Sequence, residues 1–539
     1  MSKASGAHIV QEYDTLAAKR STMEGIWNDV EKYCMAGINP NDNTTATKAY
    51  TLKKDIYNNT AFRSSAILAS GLYSHLTNPS SDWFMLAANN VNEDKGFQDW
   101  LNSLDIVTKY VLFNSNFYTT MAMVYENFVH YGVALLYSEF DPMNVIKFSS
   151  YHPRNFVFDE DVYGKVTKVL ILFKLTAEEA VEKFGNAVSD KIKKALESSS
   201  PENKNKRFDF ILYAHKVRNK DGTIMTEDVY VEKESKKVVS QQIHNTPELP
   251  YIIARWSKKN NYLYGSSPSM VALPDVKTLN RIDKSVTEAL EAAVHPPMSL
   301  PYDGYIEPIY LTPGGLNYRL TSDPKDKAEP LYTVGDISAG IKAKEEITQN
   351  IQEAYFVDLF MMLQDNTMTA TEVMQRAQEK MLLLGTVVGR ITHELLTPLI
   401  RRVLDIMFKY GIVANPFNIN PYGALDIHYL SPLAQAQKAG KFNGMLQTMN
   451  TALQIAQLKP EILDNINTDY FIREIGNLLS VPSPMFVDMD TVNNEREQRA
   501  KAIEQQQKAQ ALLDNAKAIK QSSGAQKDVA MAKKIEQGG

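Results

Sequence analysis

Two amphipathic stretches separated by a segment that cannot be helical constrain this chain more than any other feature. After Pro274, the residues Val276, Leu279, Ile282, Val286, Leu290 and Val294 recur at spacings of three and four, the pattern of a helix with one buried stripe. Pro296 and Pro297 end it, since neither can donate to the helical ladder and each restricts the residue before it. A second helix is expected to start near Ser338, to carry Ile347, Ile351, Ala354, Tyr355, Leu359 and Met362 on one face, and to fade in Gln364-Asp365-Asn366-Thr367. Each has about 20 to 25 residues and spans roughly 30 to 37 Å. Their hydrophilic faces mix both signs: Lys277, Arg281, Lys284, Glu288 and Glu291 on the first, Lys342, Lys344, Glu345 and Glu346 on the second.

The insert between them, Met298 to Gly335, interleaves Tyr302, Tyr305, Tyr310, Tyr318 and Tyr332 with prolines and the pair Gly314-Gly315. That is turn chemistry joining short strands. A structureless loop of this length is unusual in a compact domain, so the insert is expected to fold. Its aromatics suit either an interface core or the insert's own small core. Beyond the second helix, Asp365, Asn366 and Thr367 interrupt two strong helical patterns without proline or glycine, by competing locally for backbone hydrogen bonds. Thr369 or Thr371 can cap the next helix, with Glu372 at the capping-box position for Thr369.

The flanking regions differ in period. Residues 8 to 150 read as helical, including an amphipathic run from Ile9 to Met35 and a segment whose Ala61, Ser65, Ala69 and Gly71 permit close packing. Between about Val133 and Trp256 the period shifts to two, with one inserted helix over Thr176 to Glu197, which makes an α+β region. A long helix follows from Thr369 to Tyr410, packed closely at Gly385 and Gly389 and kinked by Pro398. Helices return at Leu433 to Leu458 and Thr468 to Leu479, and from Asp490 the chain is Gln-, Ala- and Lys-rich, a solvated helix fraying into disorder. The fold class is therefore mainly α with one α+β region. A chain of 539 residues has room for several domains, and its net charge of −5 lacks the basic signature of a tight nucleic-acid binder. Cys34 is the one cysteine, which excludes an internal disulfide and fits a reducing compartment or indifference to redox. The composition predicts neither a secretion signal nor a membrane span.

Catalytic motifs fail one by one. His393-Glu394 begins a zinc-binding HExxH, but Thr397 occupies the second histidine position. Asp159-Glu-Asp-Val-Tyr-Gly opens like a calcium loop, yet Tyr163 stands at the fifth ligand position and Leu170 at the twelfth, so a hairpin turn is expected. There is no phosphate-binding P-loop, and Gly265-Ser-Ser-Pro lacks the second glycine of a nucleophile elbow. A structural or polymer-handling protein fits better than an enzyme, with no metal and no cofactor. The periodicities alone also allow a helical scaffold or adaptor that never touches DNA.

Several segments, in their order and spacing, resemble the portal proteins, or head-to-tail connectors, of short-tailed phages. They are Tyr57-Asn-Asn-Thr-Ala through Leu76-Thr-Asn-Pro with Trp83-Phe84; Arg255-Trp256 with Leu263-Tyr-Gly-Ser-Ser-Pro and Leu273-Pro-Asp-Val-Lys-Thr-Leu-Asn; and Met368-Thr-Ala-Thr-Glu-Val. The resemblance spans roughly residues 8 to 480. It implies a ring, usually a dodecamer, at a capsid vertex of the virion, assembled in the host cytoplasm. Double-stranded DNA passes through the ring without regard to sequence, and no membrane is involved. The implied partners are the terminase large subunit, the major capsid and scaffolding proteins and tail adaptor proteins. Residues 1–132 and 133–264 then resemble the wing, 265–297 and 338–363 the two stem helices, 298–337 the clip, 364–370 the tunnel loop, 371–430 a long wing helix and its return, and 431–489 the crown, with 490–539 a tail.

On this resemblance Lys277, Arg281, Lys284, Glu288, Lys342 and Lys344 face the channel, and Gln364, Asp365, Asn366, Thr367 and Met368 project toward DNA. Tyr305, Tyr310, Tyr318 and Arg319 meet the motor and later the tail. Stem helices of such a ring set side by side at about 9 to 10 Å leave a hole of about 25 Å. If the apolar stripes join neighbouring stems, a charge at Leu279 or Ile351 is expected to abolish the ring.

Overall fold

The computed structural model describes residues 5–35, 55–88, 95–198, 205–218, 222–259, 262–299, 318, 329–330, 335, 338–362, 384–423, 425–430, 432–456, 459, 461, 465–478, 487, 491–508, 510 and 512. The chain divides into two compact units, Met1–Asn90 with Asp99–Gly440, and Val91–Gln98 with Lys441–Gly539.

Four helices and a strand come first: α1 (Gly6–Cys34), α2 (Thr60–Leu76), β1 (Phe84–Ala88), α3 (Lys95–Asn114) and α4 (Phe117–Tyr131). The α+β region then runs β2 (Val133–Asp141), β3 (Val145–Tyr151), β4 (Phe156–Glu160), β5 (Val166–Thr176), α5 (Ala177–Phe184), α6 (Asp190–Glu197), β6 (Arg207–Arg218), β7 (Ile224–Glu232), β8 (Lys237–His244) and β9 (Tyr251–Arg255). It builds a three-stranded antiparallel sheet, β3-β2-β9, and a five-stranded meander, β4-β5-β6-β7-β8. Alternation along the meander sends its side chains to two different cores. Phe156, Phe158, Val169, Ile171, Leu212 and Ala214 point one way, onto Trp27 of α1, Tyr131 and the strands β2 and β9. Val157, Leu170, Ile211, Tyr213, Val229 and Val231 point the other way, onto Ile9, Val10, Tyr13 and Leu16, also of α1. The meander is thus covered on both faces, and one long helix supplies part of each cover.

The inserted helix expected over Thr176 to Glu197 is two short ones. Thr176 caps α5 with a complete capping box to Glu179, and Gly185 at φ +59° turns the chain through a 3₁₀ turn, Gly185–Ala187, toward α6. The expected turn after Asp159 is present: Asp161 Oδ1 accepts from the Tyr163 and Lys165 amides, each at 2.9 Å, and Gly164 adopts φ +78°.

The first stretch of the central hairpin is α7 (Pro268–Val294), which begins ahead of Pro274, after which it was expected to start. Ser267 caps it, its Oγ accepting from the Met270 amide at 3.0 Å, and Pro268 sits in the first turn, where its missing N–H costs nothing. Pro274 therefore lies inside the helix. Short strands β10 (Met298–Ser299) and β11 (Glu329–Pro330) pair antiparallel at the base of the insert. The second stretch is broken into α8 (Ser338–Ala354) and α9 (Val357–Met362), with Phe356 at φ +54° between them.

Residues 384–391 are helical and lead through a π turn, Thr392–Leu396, into α10 (Thr397–Lys409). The wider turn lies just before Pro398 and takes up the disturbance that was expected as a kink. Gly389 does not mark close packing, because a Cβ there would meet nothing within 4 Å. Gly71 does: a Cβ would lie 2.5 Å from the Phe360 ring. Strand β12 (Leu425–Tyr429) pairs antiparallel with β1.

Helix α11 (Pro432–Ala456) is followed in the second unit by α12 (Thr468–Leu478) and α13 (491–508). Arg496 grips Asp469 with two bonds of 2.6 and 2.7 Å and ties α13 to α12. Exposed pairs at i,i+4, Glu495–Arg499, Glu497–Lys501 and Glu504–Lys508, support α13, whose surface is mostly polar. Among the described residues no helix is long and apolar enough to cross a membrane.

Candidate functional site

The hairpin α7/α8 is packed at its root and uncovered further out. Leu273, Val276 and Leu279 of α7 and Ile351 of α8 are buried. Val286 still meets α8, its Cγ2 lying 3.4 Å from where a Gly340 Cβ would sit. Beyond that level the apolar stripe loses its cover: Leu290 is 47% exposed, Val294 70% and Ile341 42%. Leu279 and Ile351 belong to the chain's own core, so a charge at either strikes this hairpin directly.

Polar pins fix the root. Lys277 Nζ meets Asp29 Oδ2 at 2.6 Å, tying α7 to α1. Asn280 accepts from the Tyr57 amide at 2.7 Å and donates to the Asp55 carbonyl at 2.9 Å. Asp283, buried on α7, accepts from Asn58 Nδ2 at 2.5 Å and pairs with Lys344 Nζ of α8 at 2.8 Å. The Tyr57-Asn58 segment and the segment ending at Asn280, more than 200 residues apart, are therefore in direct contact.

A second joint fixes where α7 departs. Gly132, in the left-handed region at φ +71°, ends α4, and its backbone crosses that of Gly265 so closely that a Cβ on Gly265 would lie 2.2 Å from the Gly132 carbonyl oxygen. Around the crossing the Trp256 amide donates to the Gly132 carbonyl at 2.9 Å, the Ser266 amide to the Ser257 carbonyl at 2.8 Å, and Ser267 Oγ to the His130 carbonyl at 2.9 Å. Beside it Arg255, its side chain only 3% exposed, is shared between two carboxylates. Glu394, from the π turn, accepts from its backbone amide at 3.0 Å and from Nε and Nη2 at 3.2 Å each. Glu160 accepts from its Nη1 at 2.7 Å and from Lys258 at 2.6 Å. Burial alone would raise the Glu160 carboxyl, but Lys258 and Arg255 hold it below the usual range.

The residues singled out in the sequence part company here. Lys277 and Lys344 are tied into the pins. Arg281 and Lys342 are exposed, as are Lys284 and Glu288, which lie 3.8 Å apart, with Lys284 also over the Tyr57 ring. Tyr318 is 67% exposed. Tyr305, Tyr310, Arg319 and Gln364, Asp365, Asn366, Thr367 and Met368 lie outside the described residues. Asn280, Asp283, Gly132, His130, Arg255 and Glu394 were not singled out as a joint, although Glu394 and Arg255 stood in motifs read for other reasons. Among the described residues no group of three or more His, Cys, Asp or Glu side chains could hold a metal ion.

One buried histidine and one half-buried histidine near this joint set an acid limit. Burial pushes His130 down to about 4, and burial together with Arg154 and Arg20 pushes His152 down to about 4. Unfolded, both titrate near 6.5. Above that value neither state is charged and stability is full. Between 6.5 and 4 the unfolded chain binds protons that the folded chain refuses, so stability falls, and below 4 the loss levels off. Each ring is worth up to about 3 kcal/mol. Urea midpoints should drop steadily from pH 7 to pH 4.5, and the slope should flatten in the His130→Gln, His152→Gln double variant. Equal slopes would contradict this assignment.

The sequence of the chain is similar to that of two phage proteins. It is 29% identical to the portal protein of Salmonella phage epsilon15, over 95% of this chain and 94% of that one. It is 26% identical to the probable portal protein of Bordetella phage BPP-1, over 94% and 93%. A chain from the neck of an empty GTA particle, computed with C6 symmetry, covers 75% of this chain and 90% of its own length at 11% identity and a TM-score of 0.35, too loose a likeness to bear on function. Residues 7–487 match the model of one family, so the chain belongs to the bacteriophage head to tail connecting proteins.

Proposed function

We propose that this chain is a portal subunit, copies of which close into a dodecameric ring at one capsid vertex. Double-stranded DNA is packaged, retained and ejected through its channel. The observation that carries this reading is the similarity, over nine tenths of the chain, to two phage proteins named as portal or probable portal. Residues 265–297 and 338–363 are the stem, 298–337 the clip, 364–370 the tunnel loop, 1–132 and 133–264 the wing, 371–430 its long helix and return, 431–489 the crown and 490–539 a tail. The uncovered stripe at Leu290, Val294 and Ile341 is the surface a neighbouring stem would bury. Arg281, Lys284, Glu288 and Lys342 form the channel face, while Lys277 and Lys344 brace the wall behind it. Mixed signs suit a channel through which DNA slides, because a purely basic sleeve would release counterions and bind the duplex tightly.

In this reading Tyr305, Tyr310, Tyr318 and Arg319 of the clip dock the terminase large subunit and later the tail adaptor proteins. The outer surface meets major capsid and scaffolding proteins. The ring is assembled in the host cytoplasm and resides in the virion, and no catalytic step or cofactor enters. Removing Asp365 to Met368 should leave ring assembly and the start of packaging intact but let packaged DNA leak out, scored by DNA retained per capsid. Full retention would contradict the role given to this loop. Replacing Met298 to Gly335 with a short Gly/Ser linker should leave rings but eliminate motor binding; loss of the ring would place the insert in the subunit interface instead.

A further inference from the structure

The second helix of the hairpin contains a conflict between local and tertiary preference. From Ser338 to Met362 the chain has no proline, and its one glycine, Gly340, lies in the first turn. Ile347, Ile351, Tyr355, Leu359 and Met362 stay in phase at helical spacing throughout. The unbroken stripe and the lack of a helix breaker favour one uninterrupted helix, against only the modest helix propensity of Tyr355, Phe356 and Val357. The chain nevertheless bends after Ala354. The Tyr355 amide donates to the Ile351 carbonyl at 3.2 Å, the Phe356 amide then donates three residues back to Glu353 at 3.0 Å, and Phe356 takes φ +54°. A bulky aromatic residue in the left-handed region is strained and persists only where its surroundings impose it.

Those surroundings are specific. The Tyr355 hydroxyl donates to Ser269 Oγ at 2.8 Å, and Ser269 Oγ lies 3.2 Å from His130 Nδ1, all three residues being buried. Cys34 at the end of α1 hydrogen-bonds the same tyrosine, and burial raises its thiol to about 11, so it stays protonated. Past the bend, Val357, Leu359 and Phe360 are buried, with the Phe360 ring seated against Gly71 and stacked on His75 at 5.6 Å. Helices α1, α2, α4 and α7 thus contribute to holding α9 where it is.

We propose that Tyr355–Phe356 is a latched joint with two states: the bent one, held by the Tyr355 hydroxyl and by Phe360 in the Gly71 notch, and a straight one in which residues 338–362 form a single helix and Phe360 leaves the notch. The two states differ by the exchange of backbone strain for these contacts, and both are properties of this chain whatever it assembles into. A change at the notch or at the latch therefore swings α9 and resets the direction in which the chain leaves Met362.

The test uses the full chain with nitroxide labels on Glu346→Cys and Met361→Cys, both exposed positions, diluted into unlabelled chain; buried Cys34 stays unlabelled. Fifteen residues of straight helix span about 22 Å, and any bend shortens that distance. Double electron–electron resonance should show a main distance shorter than this and a minor one near it. Gly71→Leu, which fills the notch, should raise the longer population at least fivefold. Phe356→Gly, which removes the strain and keeps every latch contact, should lower it at least threefold. If Gly71→Leu fails to fold, Phe356→Gly alone decides. An unchanged distribution in Phe356→Gly, or a single distance in every folded variant, would overturn the proposal.

Discussion

Gly265→Ala is expected to deprive the chain of a stable fold, with a loss above about 4 kcal/mol, in the range that single substitutions reach only through a named structural failure. The added Cβ would sit 2.2 Å from a backbone oxygen, that of Gly132, and no rotamer change can relieve a clash between two main chains. The only escape is to part the crossing. That would strain or break the Trp256–Gly132, Ser266–Ser257 and Ser267–His130 bonds that aim α7. Gly389→Ala is the matched control. Its Cβ meets nothing, and in a helix alanine gains up to about 1 kcal/mol over glycine. Thermal denaturation of the two variants should therefore move in opposite directions. A Gly265→Ala protein that melts like the parent would show that the crossing is not the anchor described.

Glu394→Ala should cost about 3 kcal/mol, the low end of what removing one partner from a buried ion pair costs, since Glu160 still pairs with Arg255. Three of the hydrogen bonds made by Arg255 end on this carboxylate, and the guanidinium has almost no access to water to replace them. Arg255→Met with Glu394→Leu should be less damaging than Glu394→Ala alone, since no buried guanidinium is left with three of its hydrogen bonds unmade, although Glu160 then keeps only Lys258. Denaturant midpoints of Arg255→Met, Glu394→Leu and the double variant measure the coupling. Strict additivity would mean that the pair does not act as a unit.

What was legible in the sequence follows from the range of the forces involved. Strands β4 to β7 of the meander could be read because they alternate locally, and α7 and α8 because their stripes recur every turn. The tight turn at Gly164 and the close packing at Gly71 could be read because each needs a particular residue type. Pairing between β1 and β12 could not, since two five-residue strands far apart in sequence carry no mark of their register. Lys277 and Lys344 looked like solvent-facing members of a polar stripe; what ties them down, Asp29 and Asp283, lies on other elements or at a position that periodicity assigns no partner. Glu394 was visible only as part of a failed zinc motif, because its partner Arg255 comes from a strand 139 residues away. The break at Phe356 runs against local preference and is imposed by contacts from other helices.

Whether copies of this chain close into a ring with an axial channel, as proposed above, is read by negative-stain electron microscopy of the purified protein. Closed rings with a central hole of about 25 Å, from stem helices set about 9 to 10 Å apart, are the predicted result. Monomers, or open filaments without a central hole, at concentrations where the protein remains folded would contradict it.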